Sequence, residues 1–207
     1  MKVALINYGM GNLGSVRRAL EELKAEVVVA KHPAMLAEAN RLVLPGVGAF
    51  GEGMARLRAG GWIEGLRREV MDGGKPMLGI CLGMQMLASV SEENGVHEGL
   101  SFIAGRVRRL DKLGCSLRIP HVGWNEVNYE RGALLFDHIP QATDFYFVHS
   151  YVFEAEQAAD VAATTSYGVT LTAAVASRHV FGTQFHPEKS SKAGRQVLRN
   201  FLEYPQC

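Results

Sequence analysis

Met77-Leu78-Gly79-Ile80-Cys81-Leu82-Gly83-Met84-Gln85 is the stretch on which the fold turns. Entered through Pro76, Met77 to Ile80 is apolar without alternation, as expected of a strand covered on both faces, and Gln85 to Ala88 reads as the first turns of a helix. Cys81 therefore stands at the apex of a strand-to-helix turn. Such an apex strains the backbone, and bulky side chains two positions to either side would collide with it. Gly79 and Gly83 remove those side chains. At a helix N-terminus the free N–H groups and the dipole favour thiolate over thiol, and the N–H of Leu82 is expected to face a developing oxyanion.

A second segment supplies a base. In Phe185-His186-Pro187-Glu188, Pro187 forces His186 into an extended conformation, and residues i and i+2 of an extended chain face the same way. Glu188 can then hold one imidazole nitrogen of His186 and leave the other to exchange a proton with Cys81. Taken alone, each segment has an ordinary reading: a buried apolar cysteine and a turn with a solvated acid. Their coexistence in one chain favours a catalytic triad, in the order nucleophile, His, acid. Most α/β hydrolases place the acid before the His, so the order narrows the choice.

The surroundings of the elbow set the fold class. Val3 to Asn7, Glu26 to Ala30 and Leu42 to Leu44 read as strands, interleaved with helices at Gly14 to Lys24, Pro33 to Glu38, Gly51 to Leu57 and Trp62 to Met71. After about Arg106 the texture becomes a run of strands: Arg106 to Leu110, Arg118 to His121, Asn125 to Val127, Phe145 to His149, Val161 to Thr165, Thr172 to Ser177 and Val180 to Gln184. A helix at Gly194 to Leu202 closes the chain. The expected architecture is α/β, a three-layer open sheet, mostly parallel, with helices on both faces and an antiparallel C-terminal extension. One domain over 1–207 suffices.

Two glycine clusters compete for a role. Pro45-Gly46-Val47-Gly48-Ala49-Phe50 follows a strand and precedes a helix, so the amides of Gly46, Val47 and Gly48 can line a concave site at the strand ends and supply a second oxyanion donor. The plain alternative is a strand-to-helix turn. Gly9-Met10-Gly11-Asn12-Leu13-Gly14 matches a dinucleotide-binding turn, but Ala30-Lys31-His32 stands where that motif needs a ribose-binding acid.

Composition closes other routes. At 207 residues, 47% hydrophobic and a net charge of +1, the chain has no basic footprint for nucleic acid, and no apolar run reaches the length of a membrane span. Cys81, Cys115 and Cys207 are odd in number and far apart, which argues against a disulfide framework or a zinc site and fits a free thiol in the cytoplasm. Cys115 and Cys207 have no base nearby in sequence.

The segments Asn7 to Val16, Pro45 to Phe50, Gly79 to Gln85, Pro120 to Asn125, Phe147 to Tyr151 and Gln184 to Ser190 together resemble the triad-type, class I glutamine amidotransferases. The elbow and the His-Pro-Glu segment are common to many of them. The first, second and fourth segments are similar to the branch of glutaminase subunits of imidazole glycerol phosphate synthases. The resemblance implies that Cys81, His186 and Glu188 hydrolyse L-glutamine without a cofactor or metal. It also implies that Gln85, Ser150 and Tyr151 hold the glutamine, mostly through backbone groups. Ammonia would pass to a separate βα-barrel cyclase subunit in a heterodimer, with Asn12, Trp124 and Lys189 at the interface. A stand-alone cysteine amidase of the same fold and a nucleotide-binding regulatory module are the alternatives.

Overall fold

The computed structural model describes residues 1–130 and 132–205. In chain order the strands are β1 (Lys2–Ile6), β2 (Glu26–Ala30), β3 (Arg41–Gly46), β4 (Met77–Cys81), β5 (Val90–Ser91), β6 (His97–Glu98), β7 (Gly105–Arg109), β8 (His121–Tyr129), β9 (Thr143–His149), β10 (Tyr151–Ala155), β11 (Val161–Tyr167), β12 (Val169–Ser177) and β13 (Val180–Thr183). The α-helices are α1 (Leu13–Glu22), α2 (Phe50–Ala59), α3 (Trp62–Leu66), α4 (Leu82–Gln85) and α5 (Ser191–Glu203).

One large sheet runs β2-β1-β3-β4-β13-β12-β11-β8-β9. Its first five strands pair in parallel and the rest antiparallel, which realises the expected parallel core with its antiparallel extension. Alternation sends side chains of each central strand to both faces. Leu42, Leu44 and Met77 pack with Phe50, Met54, Leu57, Trp62 and Leu66 of α2 and α3. Val43, Leu78 and Ile80 pack with Val16 and Leu20 of α1 and with Val197, Leu198 and Phe201 of α5. Helices on both faces explain why β3 and β4 are buried throughout.

Three expectations are corrected. The helix after Cys81 is a single turn, Leu82–Gln85, and Gln85 to Ala88 does not continue it. The carbonyls of Met86, Leu87 and Ala88 accept instead from the N–H groups of Leu100, Phe102 and Ser101, which turns the chain into β5. That segment belongs to a second sheet, β10-β7-β5-β6, that periodicity did not reveal because β5 and β6 are two residues each. The strands expected at Arg118 to His121 and Asn125 to Val127 are one strand beginning at His121: Pro120 has no N–H for a ladder, and Gly123, at φ +136°, passes within the strand. The helix expected at Trp62 to Met71 becomes π-helical from Arg67 to Asp72.

The elbow glycines are held by backbone contact. A β-carbon on Gly79 would lie 2.6 Å from the Gly83 carbonyl oxygen, and one on Gly83 would fall on the Leu44 carbonyl. Gly83→Ala should therefore lower stability by about 4 kcal/mol or abolish folding, because the obstacle is backbone and cannot swing away. Gly14→Ala, with no atom within 4 Å of the added carbon, should instead be neutral or stabilising by about 0.5 kcal/mol. Denaturant midpoints of the two variants check this contrast.

Candidate active site

Register brings the candidate residues together. Gly46 pairs with Cys81 across β3 and β4, and Ile80 pairs with Thr183 across β4 and β13, so Cys81 is flanked by the Gly46 loop on one side and the Gln184–His186 segment on the other. All lie at the carboxyl ends of parallel strands, where open α/β sheets form their clefts. A cleft of about 370 Å³ is lined there by Val47, Gly48, Cys81, Leu82, Gln85 and His186, with Glu93, Pro120 and the Val148–Tyr151 segment completing the wall.

Cys81 adopts φ +55°, ψ −109°, a conformation that costs a non-glycine residue about 1–3 kcal/mol. The elbow thus stores strain as its glycines predicted. Leu82 opens α4, so its N–H has no intrahelical acceptor. One helical turn makes only a small dipole, so the neighbouring side chains matter more than the helix end on which the sequence reading relied.

The His186 and Glu188 side chains are almost fully buried, and His186 Nδ1 donates to Glu188 Oε1 at 2.8 Å. His186 is positioned by its backbone: its N–H donates to the Tyr146 carbonyl at 2.9 Å, and its carbonyl accepts from the Ser190 hydroxyl at 2.7 Å. The second ring nitrogen, Nε2, makes no well-formed hydrogen bond, yet Cys81 is near enough to influence the ring. Such contacts often tighten only when substrate is present. Burial pushes the His186 pKa down, but Cys81 and the Glu188 carboxylate outweigh it and raise it to about 9.

The loop Gly46, Val47, Gly48 lies beside the sulfur. A β-carbon on Gly46 would come 2.8 Å from Leu82 Cβ and 2.9 Å from Gly83 N, and Gly48 holds φ +101°, so both glycines are required by geometry. Gln85 is buried and its amide nitrogen donates to the Tyr151 carbonyl (2.9 Å) and to Gln184 Oε1 (3.0 Å). It therefore builds the pocket wall as well as lining it.

Of the expected partner-facing residues, Trp124 and Lys189 both meet the Tyr146 ring, at centroid distances of 6.1 Å and 5.8 Å. Trp124, Val122 and Val148 are exposed, and β8 and β9 pair them side by side with Tyr146. Asn12 is exposed and caps α1, accepting from the Ser15 N–H. The Gly9–Gly14 turn packs on Pro45 through Gly11 and receives Arg56 at the Gly9 carbonyl.

Sequence reasoning missed four residues. Gln184 directs its amide nitrogen to Cys81 Sγ at 3.7 Å; the i, i+2 rule that joins His186 to Glu188 also places Gln184 on the face of His186. His149 lines the cleft. Glu93 accepts from the Phe50 N–H at 2.7 Å and lines the cleft too, although Ser91-Glu92-Glu93-Asn94 reads as a solvated loop. The Tyr8 hydroxyl is buried 2.7 Å from where a Gly46 β-carbon would be, and burial together with nearby Cys81 raises its pKa.

Cys115 is far from this chemistry, its thiol donating to the Tyr167 carbonyl within a separate apolar cluster. Cys207 lies outside the described residues. Among the described residues no cluster of His, Cys, Asp and Glu could hold a metal ion, and no helix is long and apolar enough to cross a membrane.

Residues 4–204 match the model of the family described as glutamine amidotransferase class-I. The chain is 47% identical over 203 residues to the imidazole glycerol phosphate synthase subunit HisH of Syntrophotalea carbinolica, covering 96% of this chain and 98% of that one. It is 46% identical over 201 residues to the subunit of the same name from Moorella thermoacetica, covering 97% and 94%. Among solved structures, a chain of PurLQS from Thermotoga maritima superposes with TM-score 0.79 at 17% identity, covering 98% of both chains, and a glutamine amidotransferase with TM-score 0.77 at 21%, covering 97% of both. At such identities the structures share the fold.

Proposed function

The chain belongs to the class-I glutamine amidotransferase family, and from that premise we propose that it hydrolyses L-glutamine to glutamate and ammonia as the glutaminase subunit of an imidazole glycerol phosphate synthase. The observation that carries the reading is a strained cysteine set between a glycine loop and a buried His–Glu pair, all opening on one cleft.

Cys81 Sγ attacks the side-chain amide carbon. The oxyanion forms between the Leu82 N–H and the amides of Gly46, Val47 and Gly48. His186, charged and oriented by Glu188, gives its proton to the departing ammonia and then takes one from the water that hydrolyses the thioester. Gln85, Ser150 and Tyr151 hold the glutamine, and Glu93 offers its carboxylate to the substrate's α-ammonium group. A diazo-ketone analogue of glutamine should alkylate Cys81 and spare Cys115 and Cys207, which peptide mapping reads directly; label on either of the others refutes the assignment.

Ammonia is protonated in water, so its use requires a shielded route to a second active site. In this reading a βα-barrel cyclase subunit supplies that site and makes imidazole glycerol phosphate and aminoimidazole carboxamide ribotide. The exposed apolar face of Val122, Trp124 and Val148 beside Tyr146, with Lys189 and Asn12, offers it a docking surface. Glycines at positions 46 and 48 let the loop present either a carbonyl or an N–H to the oxyanion. Turning one donor in or out changes the barrier by roughly 3 kcal/mol, about a hundredfold in rate. The isolated chain should accordingly turn over glutamine at least about a hundredfold more slowly than the complex with its nucleotide ligand. Equal steady-state rates would favour a stand-alone amidase.

A further inference from the structure

Behind the cleft runs a chain of hydrogen bonds whose protons can be assigned. His149 Nδ1 lies 2.8 Å from the Tyr151 carbonyl, which can only accept, so Nδ1 carries the proton and Nε2 a lone pair. His121 Nδ1, 3.0 Å from that lone pair, must then be the donor, which leaves His121 Nε2 as an acceptor. Asn125 Nδ2 meets it at 3.3 Å and also donates to the Ser166 carbonyl at 2.7 Å. The orientation of the Asn125 amide is set independently, because its Oδ1 accepts the Glu126 N–H at 2.9 Å. Every donor faces an acceptor, and only one arrangement of protons does this with both rings neutral.

The inner end of the chain is the pocket itself. The Tyr151 carbonyl receives His149 Nδ1–H and also the Gln85 amide; Gln85 in turn holds Gln184 Oε1, and that grip aims the Gln184 nitrogen at Cys81 Sγ. The outer members do not line the cleft. His121 is buried and stacked between the rings of Phe147 (4.8 Å) and Tyr167 (4.0 Å), while Asn125 sits on the inner face of β8, opposite the exposed Val122 and Trp124.

We propose that Asn125 and His121 are positioning residues for the glutamine pocket, holding His149 neutral with its proton on Nδ1 and thereby fixing the Tyr151 carbonyl and the Gln85 and Gln184 amides around Cys81. The inference rests on the glutaminase reading for its functional consequence and on geometry alone for its proton arrangement. Adding a proton to His149 Nε2 would set two N–H groups against each other. Burial already pushes the His121 pKa to about 4, and burial, with smaller contributions from His121 and His186, pushes His149 to about 3. The groups facing the pair are the Tyr167 ring on His121 and charged His186 on the cleft side of His149; no carboxylate contributes to either shift.

Two measurements test this. In the wild-type chain, ¹⁵N chemical shifts of the imidazoles should show His121 and His149 protonated at Nδ1 and unprotonated at Nε2, unchanged from about pH 5.5 to about pH 8.5. An Nε2–H form, or titration of either ring in that window, overturns the assigned chain even if the protein is a glutaminase. The second is glutamine turnover by the complex. His121→Leu removes the donor to His149 and should raise KM for glutamine about tenfold with kcat within about twofold, whereas His121→Asn, whose amide nitrogen can replace Nδ1, should stay within about threefold in KM. Asn125→Asp puts an acceptor against His121 Nε2, so the chain survives only while His121 is doubly protonated. The ratio of mutant to wild-type KM should then rise with pH. Losses confined to kcat, equal losses in both His121 variants, or a pH-independent ratio would each overturn the positioning role. A chain that gives the expected tautomers but hydrolyses no glutamine would locate the failure in the functional reading.

Discussion

Cys81→Ala should abolish glutamine-dependent synthesis by the complex, by at least about a thousandfold, and leave synthesis from added ammonium salts at high pH intact. The sulfur is the only proposed group that forms a bond to substrate, and alanine offers no substitute. Alanine is smaller and apolar, so the flanking Gly46 loop and Gln184–His186 segment can keep their places. The cyclase chemistry belongs to the partner in this reading and, beside its nucleotide substrate, needs ammonia from any source. Parallel assays with glutamine and with ammonium separate the outcomes, and joint loss of both activities would make Cys81 structural.

His186→Ala should lower glutamine turnover about as severely, and Glu188→Gln less so. Glutamine at 188 can still hold the ring in place but removes the charge that stabilises imidazolium, whereas alanine at 186 removes the only proton carrier. The two variants, compared by kcat/KM with folding checked, rank the roles; equal losses would give Glu188 a direct part. His186 also sets a pH signature in stability. Its folded pKa, about 9, lies above the unfolded value of 6.5, so its contribution is complete below about pH 6.5 and is lost as pH rises through about 9. The wild-type unfolding temperature should fall across that window relative to His186→Ala, and the difference should be flat below it.

Local signals were sufficient where a single physical constraint dominates. Uninterrupted apolar runs such as Leu42 to Leu44 and Met77 to Ile80 mark strands covered on two faces, because no other element of that length buries every side chain, whereas the equally apolar Val27-Val28-Val29 lies on the sheet edge and is only half-buried. Gly79 and Gly83 around Cys81 mark a turn that only backbone can fill, and the structure places backbone there. The His186–Glu188 contact is legible because Pro187 restricts the chain to the conformation that makes it.

Other features depend on partners distant in sequence. The helix after Cys81 stops after one turn because the carbonyls of Met86 to Ala88 are claimed by the segment at Leu100 to Phe102, and no propensity near residue 86 records that competition. The second sheet joins strands of two residues to Gly105–Arg109 and Tyr151–Ala155, too short and too scattered to show a period. Glu93 looks like surface charge until the cleft is assembled around it.

The amino-acid sequence by itself determined the α/β class and the elbow, and it singled out Cys81, His186 and Glu188 as the proposed nucleophile, base and acid, since each follows from steric limits acting over a few residues. Only the tertiary structure decided which protons the site can hold. The tautomers assigned to His121 and His149, the aim of the Gln184 amide and the raised pKa of His186 all follow from the carbonyls, amides, thiol and carboxylate packed around them, and several of those neighbours lie about a hundred residues away in the chain.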